Sequence, residues 1–343
     1  MAVVRGTHTC LIHKDNHWKK VALSLAINLE TPSDQFLTVK LLLKSGADVN
    51  LKNEYRLGPL ELALTSNPWA HEDIVSLLID HGAQIKNLED PKCLPLYWAQ
   101  TVDIAKLLID RGAEINAATN CGSTPLHFLT SKDLAKLFIA AGANVNAQNV
   151  EGFTALHCAV QYKEKEIEFI ELLLNSGADI NEKNQIGQTP LHLAVDCNET
   201  STVINLLLTR GADVNAKTKD GKRPLHLVTH RRSPTVMVIN IINILLTHGA
   251  DVNAKTKSGK TPLHFASEGS DFPIVNEFLM RGADVNAKDN DSMTPLDFSL
   301  MTMGSSFEII NALLIHGADW NSYRDDRRSE TLKKLEFWLS GNW

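Results

Sequence analysis

Five histidines recur in one short motif and are the first residues of this sequence that suggest chemistry. The motif is Thr-Pro-Leu-His or a close variant, and a sixth copy ends in an aspartate, Asp297. Imidazole is a common metal ligand, so a histidine array raises the question of a metal centre. The histidines are His127, His157, His192, His226 and His264. They fall in separate modules spaced about 10 Å apart, too far to share one ion. We therefore expect structural hydrogen bonds and no metal site.

The rest of the sequence offers no catalytic motif. His71-Glu72 lacks the second histidine of a zinc-peptidase motif. Glycine-rich phosphate loops, the nucleophile-elbow pattern and paired CxxC cysteines are all absent from the sequence. We expect no catalytic residues and no cofactor.

Composition and targeting signals indicate an ordinary water-soluble chain. The net charge is −6 at neutral pH, which argues against a general binder of polyanions. The five cysteines are far apart and odd in number, which favours reduced thiols. The first ten residues lack the apolar run of a signal peptide. We expect a cytoplasmic protein, with the nucleus or secretion into a host cell as alternatives.

Two phrases repeat in fixed order along most of the chain. The first is the histidine motif, and the second reads Gly-Ala-Asp-Val-Asn with small changes. The glycines of the second phrase are 30 to 38 residues apart, and a period of this size is typical of stacked helical modules. They are Gly46, Gly82, Gly112, Gly142, Gly177, Gly211, Gly249, Gly282 and Gly317.

Each phrase predicts a local structure. Thr is a good helix N-cap and Pro fits the first helical turn, so the histidine motif begins a short first helix. Apolar residues lie four, seven and eight positions before most of the glycines, on one face of a second helix. The glycine ends that helix in a left-handed cap, and the Asp and Asn that follow favour a tight turn. Neither helix can bury its apolar face alone, so neighbouring pairs must stack.

With these phrases the sequence resembles the ankyrin-repeat family, whose unit is a β-turn and two helices with a T-P-L-H-x-A phrase. The resemblance covers about residues 13–322. It implies an all-α, ankyrin-type solenoid of about nine helix-turn-helix repeats, with β-turn fingers and degenerate terminal caps. We expect an N-terminal capping repeat over residues 1–50, repeats two to nine over 51–322 and a C-terminal capping tail over 323–343.

Three departures from the repeat predict local differences. Repeats three and four have 18 residues from helix start to glycine, where the unit at 261–282 has 21, so their first helices should be clipped. Repeat seven takes 26 residues from Arg223 to Gly249, which predicts a protruding loop near 230–235. In the tail, Ser329 is expected to cap a short closing helix.

Positive charge is concentrated in the stretch 213–262. Nine cationic residues against three aspartates give this stretch a net charge of +6, so the rest of the chain carries −12. The cations are Lys217, Lys219, Lys222, Arg223, Arg231, Arg232, Lys255, Lys257 and Lys260. The family often contacts partners through its fingers, so we expect this basic ridge to dock an acidic protein surface or segment. A solubilising lysine-rich face is the alternative. Nucleic acid is not expected, because the whole chain is negative and no aromatic residue interrupts the stretch.

A second candidate surface is the concave groove lined by the first helices. Tyr97, Trp98, Phe128 and Tyr162 lie in or near the middle first helices, either as core residues or as binding anchors. Trp69 lies in an expanded turn and is the candidate for an exposed anchor.

Together these features predict a non-enzymatic protein-protein interaction scaffold that is monomeric alone and has no membrane association. It would bind a protein partner through its β-turn fingers and concave groove. A host-directed effector of an intracellular microbe and a substrate-recognition adaptor of a ubiquitin ligase are the alternatives.

Overall fold

Helices joined by turns make up the secondary structure. The computed structural model describes residues 16–29, 31–53, 57–65, 72–85, 95–129, 131–161, 167–197, 201–229, 234–269, 271–301 and 307–320. No β-strand occurs within these ranges, and the all-α fold class predicted from the repeat is confirmed. The chain divides into two compact units, Met1–Val150 and Glu151–Trp343.

The first unit is a stack of helix pairs. Its elements are α1 (Asn16–Ile27), α2 (Pro32–Lys44), α3 (Pro59–Thr65), α4 (Glu72–Asp80), a 3-10 helix (Pro95–Tyr97), α5 (Val102–Asp110), α6 (Pro125–Phe128) and α7 (Lys132–Ala140). The first helix of one pair contacts the first helix of the next, as α1 contacts α3, and the second helices contact one another in the same way, as α5 contacts α7.

The second unit repeats this arrangement. Its elements are α8 (Ala155–Gln161), α9 (Ile167–Asn175), α10 (Pro190–Asp196), α11 (Ser201–Thr209), α12 (Pro224–Leu227), α13 (Thr235–Thr247), α14 (Pro262–Glu268), α15 (Phe272–Met280), α16 (Pro295–Met301) and α17 (Phe307–Ile315). The first helices contact one another in series, in the order α8, α10, α12, α14 and α16. The second helices do the same in the order α11, α13, α15 and α17.

The predicted start and stop signals operate at the helix ends. Thr261 has an extended backbone at the N-cap of α14, and Pro262 follows as the first helical residue. At the end of α11, Gly211 has φ of 95°, and its N–H donates to the Leu208 carbonyl at 3.1 Å. The N–H of Ala212 donates to the Leu207 carbonyl at 3.0 Å, which completes a Schellman motif.

The core runs along the second helices. Every residue four positions before a repeat glycine is buried, as the apolar pattern predicts. These residues are Leu42, Leu78, Leu108, Phe138, Leu173, Leu207, Leu245, Phe278 and Leu313. Because they recur once per module, each module closes the core of its neighbour, and neither would bury this face alone.

The clipped first helices are confirmed, and the long repeat seven is partly explained. Repeats three and four begin with helices of 3 and 4 residues, whereas α8, α10 and α14 have 7. In repeat seven the extra residues lengthen the second helix, α13, to 13 residues where α11 and α15 have 9. Most of the predicted loop, residues 230–233, and the predicted closing helix after Ser329 lie outside the described residues.

In the described part of the chain from residue 95 onward, a tight turn, here called a finger, connects one repeat to the next. In the finger from Lys217 to Arg223, the N–H of Thr218 donates to the Lys222 carbonyl at 2.9 Å. Neighbouring fingers are joined by one main-chain hydrogen bond, such as Lys257 N–H to the Asp220 carbonyl at 2.9 Å. The fingers of the second unit therefore form a continuous row of paired turns.

Candidate functional site

The repeated histidines make structural hydrogen bonds. In the copy at Thr189, the backbone N–H of Thr189 donates to His192 Nδ1 at 3.2 Å, so Nδ1 carries no hydrogen. The proton is then on Nε2, which lies 3.3 Å from the Lys222 carbonyl of the next repeat. His157, His226 and His264 make the same forward contact at 3.0 to 3.2 Å. Both ring nitrogens are used, so each histidine caps its own helix and ties it to the following module.

Burial favours the neutral form of three of these histidines. Desolvation lowers the pKa of His192 and of His226 to about 4, and lowers the pKa of His264 as well. Among the described residues, no group of three His, Cys, Asp or Glu side chains is placed to hold a metal ion.

Asp297 preserves the cap with a carboxyl group in place of the imidazole. Its Oδ2 accepts from the Thr294 N–H at 2.7 Å and from the Thr294 hydroxyl at 2.8 Å. Asp297 therefore caps its helix through an oxygen acceptor, where the other copies use the imidazole Nδ1.

Turn asparagines form a second set of ties between modules. Asn253 Nδ2 donates to the Gly282 carbonyl at 3.2 Å, and its Oδ1 accepts from the Asp284 N–H at 2.7 Å. The same pair of bonds forms at each of five other turn asparagines, with N···O distances of 2.7 to 3.2 Å. These asparagines are Asn50, Asn116, Asn181, Asn215 and Asn286.

The lysines of the basic ridge form two rows on two neighbouring fingers, which begin at Lys217 and at Lys255. We call the exposed lysines at the turns the tip row: Lys217, Lys219, Lys255 and Lys257. Within the described part of the chain, the ammonium groups of Lys217, Lys219 and Lys257 form no ion pair or hydrogen bond. The Lys255 ammonium donates to the Lys288 carbonyl of the next finger at 2.9 Å. No carboxylate therefore neutralises the tip row.

The inner row lies at the base of the fingers, against two aromatic rings. Lys222 and Lys260 are half-buried. The Lys260 ammonium is 4.3 Å from the centroid of the Phe298 ring and 5.8 Å from that of Phe265. The Lys222 ammonium is 5.4 Å from the Phe265 centroid. These are cation–π distances, so the rings hold the two lysines in place.

Arg223, predicted as part of the ridge, has an internal role. Its side chain is 18% exposed, and its Nη1 donates to Asn215 Oδ1 at 3.0 Å and to Asp251 Oδ2 at 3.3 Å. Its Nε is buried without a hydrogen-bond partner. Arg223 thus connects two neighbouring fingers and adds little open charge to the surface.

Four residues of this surface lie outside the stretch 213–262 and were not predicted. Lys183 and Lys288 occupy the position of Lys217 and Lys255, six residues after a repeat glycine, and both are exposed. Lys183 Nζ donates to the Lys217 carbonyl at 3.3 Å. Phe265 and Phe298 follow the last residue of the histidine motif, in later repeats. Aligning the repeats on their glycines would have identified the two lysines.

Four predicted site residues, Trp69, Tyr162, Arg231 and Arg232, lie outside the described residues. In the first unit, Trp98 and Phe128 are 39% and 54% exposed, so neither is a core residue. Tyr97 packs on Phe128 with ring centroids 5.3 Å apart, and its hydroxyl donates to the Ser123 and Ala117 carbonyls. Burial raises the pKa of Tyr97 to about 12.

The comparison with known families gives one result over nearly the whole chain. A family model described as ankyrin repeats (3 copies) matches residues 23–119, 96–184, 163–256 and 236–324. The search of curated proteins returned no match. None of the helices described is long and apolar enough to cross a membrane.

Proposed function

Because this chain belongs to the ankyrin-repeat family, whose repeats generally serve as protein-protein interaction modules, we propose that it is a non-enzymatic scaffold for a protein with an acidic docking region. The tip row and the inner row form the docking surface. We place the protein in the cytoplasm, which the odd number and wide spacing of its five cysteines support.

The observation that carries this proposal is the unneutralised tip row. Elsewhere in the described chain several arginines are paired, as Arg111 is with Asp80 at 2.7 Å and Arg281 with Glu277 at 2.9 Å, and lysines without an ion pair, such as Lys52 and Lys106, lie in different repeats. Three tip lysines have no such partner, and like charges held on paired fingers repel one another. An incoming carboxylate relieves that repulsion, whereas a surface serving only solubility would intersperse both signs.

A peptide library displayed on phage tests this function without a known partner. We expect the full-length chain to enrich sequences rich in Asp and Glu. The variant K217E/K219E/K255E/K257E should lose that enrichment because it reverses the tip row. The matched control K44E/K52E/K106E/K136E reverses four exposed lysines of the first unit and should select the wild-type sequences.

Salt dependence provides the second measurement on the selected peptides. Affinity for the wild type should fall as ionic strength rises, since exposed charge pairs are screened over about 8 Å at physiological salt. Acidic enrichment that persists in the tip-row variant would rule out this docking surface.

A further inference from the structure

We propose that the inner row makes this surface a receptor for an extended acidic peptide segment, and not for a folded acidic face. The segment would cross both basic fingers, with its carboxylates on Lys222 and Lys260 as well as on the tip row. This inference rests on the proposed function, because it names the partner's form at the same site.

The depth of the inner row favours a narrow ligand. In each finger one hydrogen bond closes the turn, from Thr218 N–H to the Lys222 carbonyl at 2.9 Å and from Thr256 N–H to the Lys260 carbonyl at 3.0 Å. The exposed tip lysines and the half-buried inner lysines are therefore on opposite arms of each turn. A broad protein surface reaches the tips first, whereas a single extended chain can also reach the base.

The aromatic rings prepare the inner lysines for binding. A free lysine side chain loses rotamer entropy when it is fixed by a ligand. Lys260 is already held between Phe265 and Phe298, and Lys222 is held on Phe265. The inner row therefore gives the site its selectivity, while the exposed ammonium groups at the tips attract the ligand.

The same rings argue against single-stranded nucleic acid. Such ligands stack their bases on open aromatic faces. Here lysine ammonium groups lie over both rings, and His226 and His264 contact them edge-on at 5.8 and 5.4 Å between centroids. The next finger, 287–293, carries Lys288 against Asp289 and Asp291, so the positive track ends after two fingers.

Fluorescence anisotropy with a labelled poly-glutamate peptide tests the inference on the full-length chain. About 12 residues suffice to span two fingers at roughly 3.3 Å per residue. The variant F265L/F298L removes the rings at constant charge, and leucine is the natural residue at the same position in Leu193 and Leu227. We expect it to bind the peptide about five- to thirty-fold more weakly. The control F128L changes the same motif position in the first unit and should bind as the wild type does.

The outcomes separate this inference from the proposed function. If F265L/F298L binds poly-glutamate as tightly as the wild type while the tip-row variant does not bind, the inner row has no role and the acidic docking surface stands. Tighter binding of an oligothymidylate of equal charge overturns the peptide assignment, as does a wild type that fails to bind poly-glutamate at low salt. If circular dichroism shows that F265L/F298L misfolds, K222M/K260M replaces it. An affinity of K222M/K260M for poly-glutamate equal to that of the wild type would likewise show that the inner row has no role.

Discussion

A β-carbon on Gly259 would lie 2.8 Å from the backbone nitrogen of Asn290 in the next finger. Gly259 has φ of 81°, so this position needs glycine for its backbone angle and also for the close approach of two fingers. Gly282 has nearly the same φ, 84°, but nothing lies within 4 Å of its missing side chain.

Comparing Gly259 with Gly282 therefore separates the cost of the left-handed backbone angle from the cost of the close approach between fingers. We expect Gly282→Ala to lower the free energy of unfolding by about 1–2 kcal/mol, from the left-handed backbone alone. Gly259→Ala should lose about 3 kcal/mol or more, because the added methyl also forces two main chains apart. Urea titrations of both variants measure this, and equal losses would contradict the steric explanation.

Ser292 occupies the finger-glycine position in the last described finger. It lies ten residues after Gly282, as Gly259 lies ten after Gly249, and its φ is 61°. A non-glycine residue in this region is strained, whereas glycine costs entropy in the unfolded chain. We expect Ser292→Gly to gain about 0.5–1 kcal/mol in urea denaturation. Ser292→Ala, which keeps the β-carbon, serves as the control and should show no gain.

The buried histidines make stability depend on pH. In the folded chain the pKa of His192 and of His226 is about 4, below the usual 6.5. Between these two pH values the unfolded chain therefore binds more protons than the folded chain does. Their stabilising contribution is complete above pH 6.5 and is lost progressively as the pH falls toward 4. At pH 5 the loss should be on the order of 2 kcal/mol per histidine.

Thermal melts at pH 7.5 and pH 5 of the wild type and of His192→Gln test this linkage. The glutamine does not titrate, so the variant should show a smaller drop in melting temperature between the two pH values. A drop as large as that of the wild type would mean that other groups cause the acid sensitivity.

Arg223 replaces the threonine of the motif, and we expect Arg223→Thr to stabilise the second unit by about 1 kcal/mol. The new hydroxyl would meet His226 as Thr261 meets His264, at 2.8 Å between Oγ1 and Nδ1, and the unpaired Nε disappears. The lost pair with Asp251 is largely exposed on the aspartate side and weak. Calorimetry provides the measurement. A lower melting temperature would show that the arginine bridge outweighs the cap.

The sequence predicts the features that arise within one repeat. The helix starts at Pro262, the Gly211 cap and the burial of Leu207 follow from local spacing, because each depends on residues a few positions apart. The clipped first helices of repeats three and four were also predictable from their lower residue count, whereas the equally short α12 of the long repeat seven was not.

The composition of the docking surface was less predictable, because its contacts join different repeats. Lys260 meets Phe298 across 38 positions of sequence, so a search for aromatic residues within the basic stretch misses the ring. Arg223 counts as surface charge in the sequence, and only the fold reveals its partners Asn215 and Asp251. Charge can be read from the sequence, but its neutralisation depends on tertiary contacts.

In the second unit, the repeated histidines and the turn asparagines form their hydrogen bonds between modules in one direction along the chain. His157, His192, His226 and His264 all donate from one module to the module that follows, and Asn181, Asn215, Asn253 and Asn286 reach forward in the same sense. Asp297 holds the histidine position in the following module. A designer who grafts consensus modules behind it would place histidine there, so that the series of imidazole donors continues in the same sense as the asparagines.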